Sequence, residues 1–503
     1  MQKLNALKDR LNDVHNLGSA MGLLGWDQQT CMPPGGAGTR AAQMGTLSKL
    51  AHELLVSAET GRLLAEAEAE GAGLAYDSDE AALLRAARHD YDLEARLPTD
   101  LVVETARTTA LAFEEWHQAR AASDYGRFAP WLGRIVDLAR RRADALGYPE
   151  QRYDALLDEF EPGMRTSRVA AVFDELKAAL VPMVQAVAGQ ADRVDDAVLR
   201  RDYDEGRQEE FCREVAARLG YDFARGRLDR SAHPFSQGMG RGDVRITTRY
   251  ERNWLPGALF GTIHETGHAL YEQGVASELD DTLLGAGASL GIHESQSRLW
   301  ENLVGRSRGF WSFFFPRLEA CFPQALAGVD AEAFYRAVNR CGPSPVRVEA
   351  DELTYNLHVV IRFEMELGLL SGEIGVADAP AAWNERYRAY LDITPPDDRQ
   401  GILQDVHWSG GSIGYFPTYT LGNLMSVQLF DRAVAERPGI PDGIASGEFD
   451  GLLGWLRETV HRHGRKYLPE ELLRRATGSP LQAGPYLAYL RRKYGEIYAL
   501  PQG

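Results

Sequence analysis

Residues Pro256 to Glu272 read PGALFGTIHETGHALYE. Leu259, Phe260, Ile263, Leu270 and Tyr271 recur at helical spacing behind a Pro256-Gly257 start, so the stretch predicts a helix. Residues four apart on a helix differ by about 40° around its axis, which points His264 and His268 out of one face. Within His264-Glu265-Thr266-Gly267-His268, two neutral imidazoles can hold one zinc ion, with Glu265 beside the water on that ion. Five residues of this kind also arise by chance, and the plain alternative is two core or surface histidines.

A catalytic zinc needs a third protein ligand and an open fourth position. Glu272 shares the helix face but lies about 12 Å along the axis from His264, too far for bonds near 2 Å to gather all three. The longer pattern H-E-x-x-H-x-x-G-x-x-H fails, because Tyr271 and Gly274 stand where Gly and His are required. A separate segment must therefore supply the ligand. Gly291-Ile292-His293-Glu294-Ser295-Gln296 offers one, after the glycine-rich loop LLGAGASLG and at the head of a helical run through Leu299, Trp300 and Leu303. Glu294 is preferred over Glu278 and Glu301, which are expected to face solvent or to partner the ligands. With a His, His, Glu set, zinc would bring its water towards neutral pKa. Glu265 would take a proton during attack on a carbonyl and return it to the departing amine. A Tyr, His or Arg beside the metal would steady the oxyanion.

The rest of the chain reads as helix. Ser78–Leu97 is rich in Ala, Leu, Glu and Arg and is closed by Pro98. Thr166–Val187 has Thr166 or Ser167 placed as a cap and Pro182 placed to kink it. Glu352–Leu370 is apolar around much of its circumference, as a buried helix would be. One segment departs: in DVRITTRY, Asp243–Tyr250, Val244, Ile246, Thr248 and Tyr250 alternate with Arg245, Thr247 and Arg249, the pattern of a half-buried strand. No repeat period and no Pro/Ser/Gly-rich linker divides the 503 residues. The expectation is a mainly α, two-lobed single domain over residues 1–503 with a small β element.

Composition narrows the partners. Lys plus Arg number 55 against 72 Asp plus Glu, a net charge of -17, which repels phosphate backbones and anionic membranes. Nucleic acid and membrane partners are therefore excluded. Cys31, Cys212, Cys321 and Cys341 form no CxxC pair, so neither a thiolate metal site nor a disulfide framework is expected. With no secretory pattern at the start and no lipid-anchor pattern at the end, the expected location is cytoplasmic.

Further motifs stand in order around HETGH: His233-Pro234-Phe235, Asp243-Val244-Arg245-Ile246-Thr247, His293-Glu294-Ser295-Gln296, Val346-Arg347-Val348-Glu349-Ala350-Asp351, and Gly401-Ile402-Leu403-Gln404-Asp405-Val406-His407-Trp408. Trp26-Asp27 and Met32-Pro33 add to them. Together these make the sequence resemble the M32 family of metallocarboxypeptidases nearly end to end.

The resemblance implies a metal-dependent carboxypeptidase that removes single residues from free peptide C-termini with broad specificity. It implies a mostly helical gluzincin-type fold with a deep groove, and a homodimer. His264, His268 and Glu294 would be the zinc ligands and Glu265 the general base; some members work with cobalt. A free α-carboxylate suits the planar fork of an arginine, and Arg347 is the favoured anchor, against a surface pairing with Glu349 or Asp351. Tyr415 in GYFPTY is favoured for the oxyanion with His407 nearby, Tyr419 being its rival and aromatic packing the alternative. Arg245 is expected on an edge strand able to pair with an extended peptide. His233 is open to a structural or a substrate-lining role.

Overall fold

Long segments rich in helix formers leave few residues for strands, and the computed structural model, which describes residues 2–500, is mainly α with one small sheet. Its contacts divide the chain into two compact units, each assembled from separate stretches. The first comprises Met1–Ala95, Asp196–Val338 and Ser426–Pro480; the second comprises Arg96–Asp195, Asn339–Met425 and Leu481–Gly503.

The first unit holds the three strands. β1 (Leu228–Arg230) pairs parallel and β2 (Ser236–Gly238) antiparallel with β3 (Val244–Thr248), so the strand order is β1-β3-β2. This corrects the expectation of an edge strand around Arg245: β3 is central, its two sides taken by Leu228↔Ile246 and Ser236↔Ile246. The neighbours escaped notice because three residues are too few to show a period of two. Alternation also fails at Thr247, which is buried: its hydroxyl receives hydrogen bonds from Ser231 Oγ and the Phe235 N–H.

After β3 the chain enters the helix Leu255–Gln273, with proline in its first turn as expected. It packs against β3 and against the helices Glu205–Leu219 and Leu290–Arg298. Leu259, Ile263 and Leu270 are wholly buried, each contributing about 2 kcal/mol by removal from water. Beyond Pro256, one stripe of the helix is less than buried: Gly257, Gly261, His264, His268 and Glu272. The same unit contains the helix Asp79–Ala95, close to the Ser78–Leu97 reading.

In the second unit the helix Thr166–Ala188 continues through Pro182. Neither Thr166 nor Ser167 caps it. Arg165 occupies the cap position, and Thr166 gives its N–H and hydroxyl to Asp154 Oδ1 from the preceding helix, so an acceptor distant in sequence does that job. The helix Tyr355–Ser371 is buried as expected, with only Glu364, Leu367 and Ser371 outside the core.

Inside that helix Glu366 is 1% exposed and accepts from Tyr153 Oη (2.7 Å), Trp408 Nε1 (2.9 Å) and the Gly414 N–H (3.1 Å). Burial pushes its carboxyl up to about 7, against the pull of those donors. An unfolded chain ionises this group near 4.5. The stability tied to Glu366 is thus complete below about pH 4.5, declines between about 4.5 and 7, and is gone above, by at most on the order of 1 kcal/mol per pH unit. Calorimetric melts of Glu366→Gln should show a shallower fall in Tm than the parent across that window. An identical slope would remove Glu366 from the pH response.

Candidate metal centre

The site begins with one close contact. A side chain at Gly267 would place its Cβ 2.6 Å from Ser297 Cα and 2.7 Å from the Gln296 carbonyl oxygen. Glycine inside the HETGH helix therefore lets the Leu290–Arg298 helix lie directly against it. That approach brings Glu294 opposite the histidines. Glu294 Oε2 is 3.5 Å from His264 Nε2 and 3.6 Å from His268 Nε2, and the three ligand atoms lie within 4.8 Å of one another. Such separations are too long for good hydrogen bonds. They match the roughly 3.4 Å edge of a tetrahedron whose centre binds each ligand at about 2.1 Å. Imidazole and carboxylate donors in this number suit a divalent cation of the zinc type, so the residues present fit the group.

Each imidazole is held through its other nitrogen. His264 Nδ1 is 2.9 Å from Glu301 Oε2, and as a carboxylate only accepts, the ring donates. His268 Nδ1 is 3.0 Å from His293 Nδ1. Arg298 bridges the acids: its Nε donates to Glu294 Oε1 (2.6 Å) and its Nη1 to Glu301 Oε2 (3.2 Å). Arg306 Nη2 adds a bond to Glu301 Oε1 (3.3 Å). The helical run expected after Glu294 turns into a fully buried π-helical segment, Leu299–Gly305, and Glu301 sits in it. Such wide turns are rare and concentrate at functional sites.

The electrostatics follow from burial and these partners. Burial holds His268 well below the ordinary histidine range, keeping it neutral with a lone pair to give. Burial opposes charge on His264 too, but Glu294, Glu301 and Glu265 outweigh it and raise its pKa. Burial likewise opposes ionisation of Glu301, yet Arg298, His264 and Arg306 hold its carboxyl far below the usual range. Glu265, 6% exposed, is pushed up to about 7 by burial, with His264 pulling the other way.

Residues 6–494 match the family model described as carboxypeptidase Taq (M32) metallopeptidase. The chain belongs to this family. It is 44% identical over 493 residues to thermostable carboxypeptidase 1 of Thermus thermophilus, covering 96% of both chains. A crystal structure of the M32 carboxypeptidase from Deinococcus radiodurans superposes with a TM-score of 0.96 at 44% identity, covering 99% of this chain and 100% of that one. A Pyrococcus furiosus carboxypeptidase structure gives 0.95 at 37% identity, covering 98% and 99%. The protein is a metallocarboxypeptidase, a peptide hydrolase.

The remaining motif residues of this M32 chain fall into two groups. In the second unit, Arg347 is 6% exposed and pairs with neither Glu349 nor Asp351. Its Nε and Nη2 donate to Asp405 Oδ1 (2.9 and 2.8 Å) and its Nη1 to Tyr355 Oη (2.9 Å). Asp405 Oδ2 accepts from the fully buried Arg362 (2.7 Å), and despite burial the two guanidiniums keep Asp405 far below its ordinary pKa. The Arg347 guanidinium lies 4.9 Å from the Tyr419 ring centre, Tyr419 Oη is 3.1 Å from His407 Nε2, and the His407 and Tyr415 rings are 5.2 Å apart. Arg347, His407, Tyr415 and Tyr419 thus form one neighbourhood.

In the first unit, Arg245 pairs through two bonds with Asp243 (2.8 and 2.7 Å) and stacks 4.3 Å over Trp26, while His233 is exposed beside β2. Among the rejected ligands, Glu278 faces solvent and Glu301 partners His264. The sequence reading gave no role to Arg298 or Arg306. Glu294, Arg298 and Glu301 recur at i, i+4 and i+7, an acid–base–acid stripe that helical spacing alone could have flagged.

Glu294→Ala should weaken divalent-ion affinity by more than about 100-fold, since losing a partner behind a ligand already costs 10–100-fold. Elemental analysis after gel filtration checks this, and a stoichiometric ion in the variant would exclude Glu294 as a ligand.

Proposed function

We propose that His264, His268 and Glu294 hold a zinc ion, and that the chain works as one catalytic domain over residues 1–503, releasing single residues from peptide C-termini with broad specificity. One observation carries this reading: Glu294 Oε2 stands 3.5 and 3.6 Å from the two histidine Nε2 atoms, all three within 4.8 Å of one another, with a buried carboxyl next in sequence to the first histidine. A divalent ion bound there supplies Lewis acidity, acidifying a water and polarising the scissile carbonyl.

The chain's own groups do the rest. Glu265 accepts the water's proton as attack begins and hands it to the departing amine nitrogen as the peptide bond breaks. A carboxyl that burial has pushed up to about 7 is suited to both transfers. Glu301 and its arginine partners keep the His264 ring fixed through its Nδ1–H.

Arg347 holds the substrate's α-carboxylate. Three of its five N–H groups serve Asp405 and Tyr355, which leaves a planar pair for a carboxylate fork. Tyr415 donates its phenolic O–H to the carbonyl oxygen as negative charge builds there, with His407 beside it. Tyr419 is the rival donor. Arg245 and His233 line the path of the extended peptide. Cobalt can replace zinc. No helix among the described residues is long and apolar enough to cross a membrane; a cytoplasmic homodimer acting on peptides with a free C-terminus completes the reading.

Glu265→Gln should keep its metal and lose roughly 10³-fold or more in kcat. Stopped assays on a dipeptide or tripeptide with the metal content measured alongside decide it, and near-parental turnover would exclude Glu265 as the base. Peptides carrying a C-terminal amide should be cleaved far more slowly than their free acids. Equal rates, read from product masses, would overturn the carboxypeptidase mode of attack.

A further inference from the structure

His268 and His293 meet at 3.0 Å through their Nδ1 atoms, and this contact can be followed outward. Two ring nitrogens this close share one proton, one donating and the other accepting. If Nε2 of His268 is to give its lone pair towards Glu294's side, the ring's single proton stands on Nδ1. His293 Nδ1 must then accept, and neutral His293 carries its own proton on Nε2. His293 Nε2 lies 3.4 Å from Glu272 Oε1, an ion-pair separation longer than a good hydrogen bond. The opposite arrangement, with His293 donating, would put a proton on His268 Nε2 and bar that ring from binding a cation.

The outer members are fixed independently. Glu272 follows His268 by one turn on the partly open stripe of the helix, so His293 bridges two residues of a single helix face. The Glu272 carboxylate occupies space that any side chain at Gly238 of β2 would invade, an added Cβ colliding with Oε2. The His293 ring lies 5.0 Å from that of Tyr271, whose hydroxyl takes the Ala288 N–H (3.0 Å) and gives to the Gly464 carbonyl (3.3 Å). Rejected as a ligand for its distance, Glu272 is in reach of a different task.

We propose that Glu272 and His293 are positioning residues that lock His268 in its Nδ1–H tautomer and thereby set the metal affinity of the site. The proposal rests on the reading of His264, His268 and Glu294 as a metal site. It assigns the two ligand imidazoles different supports. His264 leans on a carboxylate clamped by two arginines, and His268 leans on a second imidazole beside a more open carboxylate.

The test uses the full chain, freed of metal and titrated with Zn²⁺ against a chromogenic chelator, with Co²⁺ as a spectroscopic probe. Glu272→Ala and His293→Phe should each bind Zn²⁺ about 10–100-fold more weakly, and Glu272→Gln, whose amide oxygen still accepts, should stay within about threefold of the parent. Proton spectra of the Co²⁺ form should show two exchangeable, hyperfine-shifted Nδ1–H signals in the parent. His293→Phe should lose one of them to fast exchange with water while the other persists. Metal-free melting temperatures near the parent's establish that the variants fold, and Glu272→Ala carries the test if His293→Phe does not. Unchanged affinity with both signals intact overturns the relay while leaving the metal site standing. Failure of the parent chain to bind Zn²⁺ or Co²⁺ overturns both.

Discussion

Two helices lie against each other where Gly267 meets the backbone of Gln296 and Ser297, and the candidate site exists because of that contact. Imidazoles four residues apart are supplied by any helix carrying His264 and His268. The third donor is another matter, since a carboxylate side chain reaches only a few ångström. Had position 267 borne even a methyl group, the helix Leu290–Arg298 would have to withdraw, and Glu294 with it. The short separations between Glu294 Oε2 and both Nε2 atoms are a consequence of backbone packing.

Around that contact the fixed charges are matched. Arg298 and Arg306 offset Glu294 and Glu301, while burial pushes the Glu265 carboxyl up to about 7. A group that binds and releases a proton near neutrality, beside a set of donors for a divalent ion, is an arrangement in which acid–base and electrostatic catalysis reinforce each other. The π-helical turn at Leu299–Gly305 belongs to the same design, since it carries the carboxylate that fixes His264.

The second unit shows a parallel economy. Asp405 joins Arg347 to Arg362 in a buried cluster with one more positive than negative charge. Taking such groups out of water is costly, and breaking a buried pair typically costs about 3–5 kcal/mol, so the cluster is better understood as fixing Arg347 in place than as adding stability. Its orientation is decided by Gln404, Asp405 and Tyr355, residues 57, 58 and 8 positions away.

Much was legible in the order of residues. The HETGH helix, the buried helix Tyr355–Ser371 and the His264/His268 pairing follow from local periodicity, which depends only on backbone geometry. Excluding Glu272 on distance pointed to a separate segment, where Glu294 was preferred to Glu278 and Glu301, and the ordered motifs led to the family. Other features could not be read. β3 looked like an edge because its partners are three residues long, and the cap of the Thr166–Ala188 helix comes from Asp154 in another element. The supports of the histidines and the pairing of Arg347 with Asp405 join segments tens of residues apart. Sequence determined which side chains could do the chemistry, because donor atoms and helical phase are local properties. Tertiary structure decided which of them meet and in what protonation state, because distance and burial belong to the packed chain alone.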